Sequence, residues 1–445
     1  FQDLPLLVEM SKPNQRLVAT FCANTGRTVN ITDAYQVSDF DMSGTHAFDR
    51  NTGYRSESFL TIPMRNHAGE LIGVVQLLNA LDSGSGKVVA FSASDQQLAE
   101  SLASQAAVAL TNRQLIQQLA DLFESFIALV NAAIDEKSPY TGGHCARVPE
   151  LALMLADAVN STHDGPLAEV SFSDKDLYEL HIAALLHDCG KITTPVHVVD
   201  KATKLETIFD RVELVRTRAE LIRREAEAQL WRGIAEQKAD PRQPLQEHHK
   251  WCAQLDLDVE FLVHSNTGSE RMADEDVDRI VQIAGAYGWT DSAGVRHSLL
   301  SDDERDNLMI RAGTLNAGER EVINHHIVST IRMLEQLPWP AHLRNVPEFA
   351  GGHHERMDGK GYPRGLRREQ MSWQARLMGI ADIFEALTAG DRPYKKAMPL
   401  SQALSILEKF RDNGHIDPDL YEAFLNQGVP RRYAERFLSP EQIDR

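Results

Sequence analysis

The chain of 445 residues is long enough for two or three domains, and its 42% hydrophobic residues can furnish their cores. No apolar run approaches the ~20 residues needed to span a membrane, and a net charge of -18 disfavours long nucleic acid as a partner. Four cysteines, Cys22, Cys145, Cys189 and Cys252, form no CxxC pair, which points away from a zinc ribbon or disulfide framework and towards small buried residues in a reducing, cytoplasmic setting. The chain begins at Phe1 rather than Met, leaving room for an upstream part or targeting segment.

Residues 1–110 read as a small domain of mixed structure. Residues 58–64 and 71–78 have strand composition and flank a turn at Asn66-His67-Ala68-Gly69, while Phe91-Ser92-Ala93-Ser94-Asp95 starts a long helix. These segments, with residues 29–35, 55–63 and 71–79, resemble a GAF domain, a small-ligand sensor built on an antiparallel sheet. The first strand or strands of that fold have no counterpart here, consistent with a truncated start. Asn79, Phe91 and Asp95 match a pattern of cyclic-nucleotide-binding GAF domains, but Ala80 stands where their Lys would be. The resemblance therefore leaves two readings, a sensor of an unknown small ligand and a structural or dimerising module.

Leu102, Gln105, Ala109, Asn112, Ile116, Leu119, Phe123, Phe126, Val130 and Ala133 recur at alternating spacings of three and four. That a/d pattern predicts a coiled-coil linker helix over 111–134 and a parallel homodimer, with Asn112 setting register. The competing reading is that the stripe packs on its own domains.

The chemistry is concentrated in residues 135–203 and 312–445. Val148, Leu151, Leu155 and Val159 mark a helix after His144, and Leu177, Leu180, Ala184 and Leu185 mark another that brings His187-Asp188 to its last turn, with Gly190 as its stop. His353-His354-Glu355 runs into Asp358-Gly359-Lys360-Gly361-Tyr362-Pro363. Asp382 lies in the apolar stripe of Leu377, Ile380, Ala381, Phe384 and Leu387, where a lone carboxylate destabilises and a cation is the natural partner. A His-Asp doublet supplies a neutral imidazole and a carboxylate able to touch two cations at once. The candidate ligands are His144, His187, Asp188, His326, His353, His354 and Asp382, with His325 read as a solvated neighbour.

Residues 204–311 look like a helical insertion. A charged helix over 211–229, a polar turn at 240–244 and helices near 248–261 and 274–287 are expected, with His248 and His249 on a solvated face.

The segments 144–148, 186–192, 323–334, 353–363 and 381–394 resemble the HD-GYP subgroup of the HD metal-dependent phosphohydrolases, bacterial phosphodiesterases acting on cyclic di-GMP. The resemblance implies a multidomain α+β chain whose catalytic domain is all-α, with the seven candidates as metal ligands. It places Lys191 near the substrate phosphate or attacking hydroxide, and Arg392 with Lys395 or Lys396 near the phosphates. Members holding three metals carry a Glu where this chain has Tyr140, so two cations are expected, about 3.5–4 Å apart and bridged by Asp188 and a hydroxide. Iron or manganese is implied, and nickel or zinc also suits imidazole and carboxylate ligands.

The Gly361-Tyr362-Pro363 turn admits two readings, a tight surface loop and a lip whose Tyr362, with Lys360, faces the substrate base or a signalling partner protein. Residues 351–400 hold nine Lys/Arg against six Asp/Glu, a basic rim suited to a doubly phosphorylated ligand. The expected reaction is hydrolysis of cyclic di-GMP to linear pGpG and onward to GMP, regulated by the GAF sensor. The same site acting on cyclic GMP-AMP or another nucleotide is the alternative. A non-catalytic dinucleotide receptor is the reading from another class, and the intact ligand set argues against it.

Overall fold

The computed structural model describes residues 6–8, 12–137, 143–237, 240–268, 271–390 and 397–444. It divides into two compact units, one up to Phe126 and one from Ile127 onward. The chain is a multidomain α+β protein, with a small antiparallel sheet in the first unit and helices dominating the second.

In the first unit, strands Val29–Ile31, Phe59–Arg65 and Leu71–Leu78 form an antiparallel sheet in that order, with Asn30 opposite Leu60 and Leu60 opposite Leu77. The period of two sends Leu60, Ile62 and Met64 to one face, where they pack with Ala103 and Ala107. Phe59 turns the other way, into a cluster with Val18, Ile31, Ala34 and Met42. The expected turn is present: the Asn66 side chain accepts from the Ala68 and Glu70 amides at 3.0 and 2.9 Å, and Gly69 supplies the positive φ of 78°.

Two residues of the cyclic-nucleotide pattern hold local backbone. Asn79 Oδ1 accepts from the Glu57 amide at 2.7 Å while Nδ2 donates to Arg55 O at 2.8 Å, and the Asp95 carboxylate accepts from the Ser92 amide at 2.9 Å. A cavity of about 630 Å³ lies between Asn30, Asp33, Asp39, Glu57 and neighbouring apolar residues, and no Lys or Arg is among the described residues lining it. A phosphate would find carboxylates there.

The linker helix runs from Ala93 to Lys137. Leu115, Leu119, Leu122, Phe126 and Leu129 are exposed, Leu119 at 68%, and their spacing of four, three, four and three is that of a heptad pattern. Of the expected stripe, Leu102, Ile116, Leu119 and Phe126 are likewise exposed, Phe123 and Val130 are partly exposed, and Ile127 and Ile134, which lie outside it, are buried.

In the second unit, helix His144–Asn160 packs against Asp174–Leu186 and Trp373–Thr388, and Ala317–Glu335 packs on the turn Cys189–Thr193. Val148, Leu151, Leu155 and Val159 are fully buried, as are Leu180, Leu377, Ile380 and Phe384. Helix starts around the site are written in the sequence as caps: Ser173 with Asp176 and Asn316 with Glu319 form capping boxes, and Ser372 accepts from the Ala375 amide.

Residues 204–311 contain helices Val212–Gln237, Arg242–Ser265, Asp274–Ala286 and Asp302–Leu308, and a hairpin of Gly288–Thr290 with Arg296–Ser298. Leu205, Val215, Leu255, Ile280, Leu299 and Leu308 join in a core of their own. The polar turn expected through Pro244 is shorter, because the helix already starts at Arg242; Pro is compatible with a first helical turn, where its missing N–H is no loss. His248 lies 3.4 Å from Cys252 Sγ and near Trp251.

Gly190 corrects an expectation. It is not among the glycines with positive φ and does not stop the preceding helix, which ends at Leu186. A Cβ at this position would instead collide with His326 O and lie 2.6 Å from Thr330 N, and the Gly190 amide donates to Thr330 Oγ1 at 2.9 Å. The glycine lets the His-Asp turn touch the helix that carries His326. We expect Gly190→Ala to lower stability by about 1–3 kcal/mol through overpacking, read as a lower denaturation midpoint; an unchanged midpoint would refute the close-approach role.

Candidate metal centre

Each candidate ligand arrives on a helix or at its end. His144 opens one helix, His187 and Asp188 follow the end of another, His326 lies within a third, His353 and His354 follow the short helix Val346–Gly351, and Asp382 lies within Trp373–Thr388. His144, His187, Asp188, His326 and His353 are buried. His326 is buried where His325 is exposed.

Backbone contacts set the imidazoles before any ligand does. His187 Nδ1 donates to Ala184 O at 2.7 Å, His326 Nδ1 to Ile323 O at 2.5 Å and His353 Nδ1 to Ala350 O at 2.6 Å. A carbonyl only accepts, so each ring donates from Nδ1 and turns Nε2 inward. His144 Nδ1 is held likewise, by Glu385 Oε2 at 2.5 Å.

The inward atoms converge. His144 Nε2 is 3.2 Å from His187 Nε2, and His354 Nε2 is 3.2 Å from His326 Nε2. Asp188 lies between the groups: Oδ2 is 3.2 Å from His144 Nε2 and 3.3 Å from His187 Nε2, while Oδ1 is 3.2 Å from His326 Nε2. Asp382 Oδ1 is 3.3 Å from His144 Nε2 and 3.7 Å from His187 Nε2. Among the described residues, His144, His187 and Asp188 form one group able to hold a metal, and His326, His353 and His354 form another.

Lone pairs facing one another, with carboxylate oxygens among them, repel unless a cation or protons sit between. Asp188 Oδ1 and His353 Nε2 are buried and without a hydrogen-bond partner, an arrangement costly for the fold alone. The nitrogen and oxygen donors fit divalent metal ions.

Electrostatics divides the cluster. Burial pushes His144 and His187 down, but the nearby carboxylates outweigh it, leaving His144 well above the ordinary imidazole range and His187 at about 9. Burial pushes Asp188 and Asp382 up, yet Lys191 and His187 beside the first and His144 and His187 beside the second hold both well below the usual carboxylate range. On the other side, burial takes His353 well below its ordinary value, and His354 to about 4 against the opposing pull of Asp382.

Lys191 Nζ is 2.5 Å from Asp188 Oδ2, and Lys137, at the end of the linker helix, donates to Lys191 O at 3.1 Å. Tyr362 stacks on His354 with ring centres 4.8 Å apart, which favours the lip over the free surface loop. Gly361 permits this, since a Cβ there would lie 2.5 Å from Glu355 Cα. Glu355, adjacent to the ligand pair, accepts from the Arg364 and Leu366 amides at 2.7 and 2.8 Å and so clamps the loop instead of joining either metal group.

The structure does not bring Lys360 to the ligands: its side chain is 79% exposed and its ammonium is 3.8 Å from Asp358 Oδ2. The basic rim is also smaller than composition suggested, because Arg368 and Arg376 pair with buried Asp417 and Arg356 pairs with Asp358. Tyr140, Arg392, Lys395 and Lys396 lie outside the described residues. Glu385 was not foreseen; it accepts from Arg147 Nε at 2.7 Å besides holding His144. Its spacing of three from Asp382, on the same helix face, was the available signal.

Comparison with known proteins agrees with this picture. Residues 4–110 match the GAF domain family, and residues 141–287 and 303–420 match two HD domain families. These segments are thus similar to GAF and HD domains, and an HD domain implies divalent metal ions. The chain's motifs resemble those of the HD-GYP group. It is 32% identical over 163 residues to a 3'3'-cGAMP-specific phosphodiesterase of Vibrio cholerae, covering 36% of this chain and 32% of the relative. It is 35% identical over 133 residues to a cyclic di-GMP phosphodiesterase of Pseudomonas aeruginosa, covering 30% and 31%, and 34% identical over 120 residues to one of Thermotoga maritima, covering 27% and 32%. The chain spans about a third of the length of these relatives. The first HD match extends through residue 287, across much of the segment read as an insertion.

The cysteines beside the ligands are shielded. Burial pushes the Cys145 thiol up to about 12 and those of Cys189 and Cys22 to about 11, while Cys252 is partly exposed. Raised values leave little thiolate at neutral pH. Maleimide labelling of the folded protein at pH 7 is expected to modify Cys252 alone, the others reacting only on unfolding or as pH nears 11; rapid labelling of Cys145 would contradict the burial.

Proposed function

We propose that the chain is a metal-dependent cyclic dinucleotide phosphodiesterase whose centre holds two divalent cations, iron or manganese. The observation that carries this reading is Asp188, whose two oxygens face separate imidazole groups at 3.2 Å. His144, His187 and Asp382 serve one cation position and His326, His353 and His354 the other. Bound there, the cations supply activation of water and neutralisation of phosphodiester charge. Lys191 steadies the Asp188 carboxylate and offers positive charge to the substrate phosphate. Tyr362 presents a ring edge beside the centre for a base. Arg392, Lys395 and Lys396 are proposed for the outer phosphate oxygens on the strength of the motif.

Cyclic di-GMP is the proposed substrate, with linear pGpG as product and GMP as a further one. Cyclic GMP-AMP is the second reading, favoured by the 163-residue match to a relative named for that nucleotide. Incubation with Mn(II), or anaerobically with Fe(II), followed by chromatography of products from each nucleotide distinguishes them. Asp188→Ala is expected to lose activity by at least roughly 10²–10³-fold, the scale of removing one preorganised electrostatic partner. Binding without turnover in the metal-loaded wild type would favour a receptor instead.

We further propose that the seam of Leu115, Leu119, Leu122, Phe126 and Leu129 is covered by a second copy of the chain, and that the GAF domain acts as a sensor through the linker helix. Residues 204–311 are proposed as a separately packed insertion. Light scattering is expected to give twice the 49.7 kDa mass of one chain, and Leu119→Lys with Leu122→Lys to give the single mass; a monomeric wild type would overturn the dimer.

A further inference from the structure

His144 is set differently from His187, His326 and His353. His187, His326 and His353 each use the carbonyl three residues earlier. His144 is the first residue of its helix, preceded by Gly143 at a φ of 97°, so no helical turn lies behind it to offer a carbonyl. The partner comes instead from a distant helix, where Glu385, 1% exposed, places Oε2 2.5 Å from His144 Nδ1.

The other oxygen of Glu385 is occupied. Oε1 accepts from Arg147 Nε at 2.7 Å and lies 2.6 Å from Nη2, a paired contact with the residue one turn beyond His144. Arg147 thus holds the carboxylate against the ring it serves. Glu385 also stands one turn beyond Asp382, so a single helix delivers both a ligand and the partner of another ligand.

A charged acceptor on Nδ1–H polarises an imidazole more than a peptide carbonyl does, and raises the basicity of the opposite nitrogen. Asp188 offers one oxygen to each position, and the position served by His144 has a second carboxylate, Asp382, where the other has a third imidazole. We propose that Glu385, braced by Arg147, is a positioning residue that fixes the proton and raises the donor strength of His144, making the His144–His187–Asp188–Asp382 position the tighter of the two. The inference rests on the proposed two-cation centre.

The test is metal retention, independent of turnover. Mn(II)-loaded protein is equilibrated against graded chelator and its metal content measured, with thermal unfolding followed with and without Mn(II). The wild type is expected to release its cations in two steps. Glu385→Gln is expected to weaken the tighter step by roughly 10–100-fold, to leave the weaker step in place and to shrink the metal-induced rise in melting temperature; Glu385→Asp is expected to keep most of both. Unchanged release from Glu385→Gln, or equal weakening of both steps, would overturn the proposal, the latter marking a merely structural contact. If the wild type binds no metal, the centre itself is refuted and this inference with it. Where Glu385→Gln does not fold, Arg147→Gln is measured in the same way, with a smaller loss confined to the tighter step expected and an unchanged tighter step overturning the bracing role.

Discussion

One carboxylate organises the second unit. Asp188 lies between two sets of imidazole nitrogens, with Lys191 on one of its oxygens, and buried negative charge of that kind persists only where positive charge meets it. The helices reaching this point are ordinary apolar helices elsewhere along their length. Val148, Leu155, Leu180, Ile380 and Phe384 are fully buried, and the hydrophobic effect brings the helices together while the polar tips meet at Asp188. The contact of Gly190 with the His326 helix belongs to the same requirement, since bulk at that point would separate the two halves of the ligand set.

Much of this was legible because it is local. Helix periodicity, Ser and Asn caps and the His-Asp and His-His doublets are short-range patterns, and the structure gathers the seven residues they marked. The less legible features depend on partners remote in the chain. Glu385 meets His144 across 241 residues, and nothing in the surrounding apolar sequence says which residue it serves. Gly190 looked like a helix stop because glycine has the same letter whether it supplies a left-handed turn or a close approach. The arginines of residues 351–400 looked like a free rim because composition does not reveal that Asp417 takes two of them.

The two units differ in what their polar residues do. In the GAF unit, Asn66, Asn79 and Asp95 are engaged with nearby backbone, so motif-like residues there act as scaffold. In the second unit, local backbone contacts orient His187, His326 and His353 and leave their other nitrogens directed inward. The same physical device, a side chain tied to main chain, ends in a finished turn in one case and in an open valence in the other.

That last property has a consequence for how the centre exchanges its contents. Three of the rings are locked by carbonyls of their own turns, so their orientation is prepaid by secondary structure and does not wait for an ion. Arrival and departure of a cation then require displacement of protons and water rather than rebuilding of the pocket. A cavity prepared in this way suits several ions of similar size and charge, so geometry, donor type and the abundance of each ion together select among them.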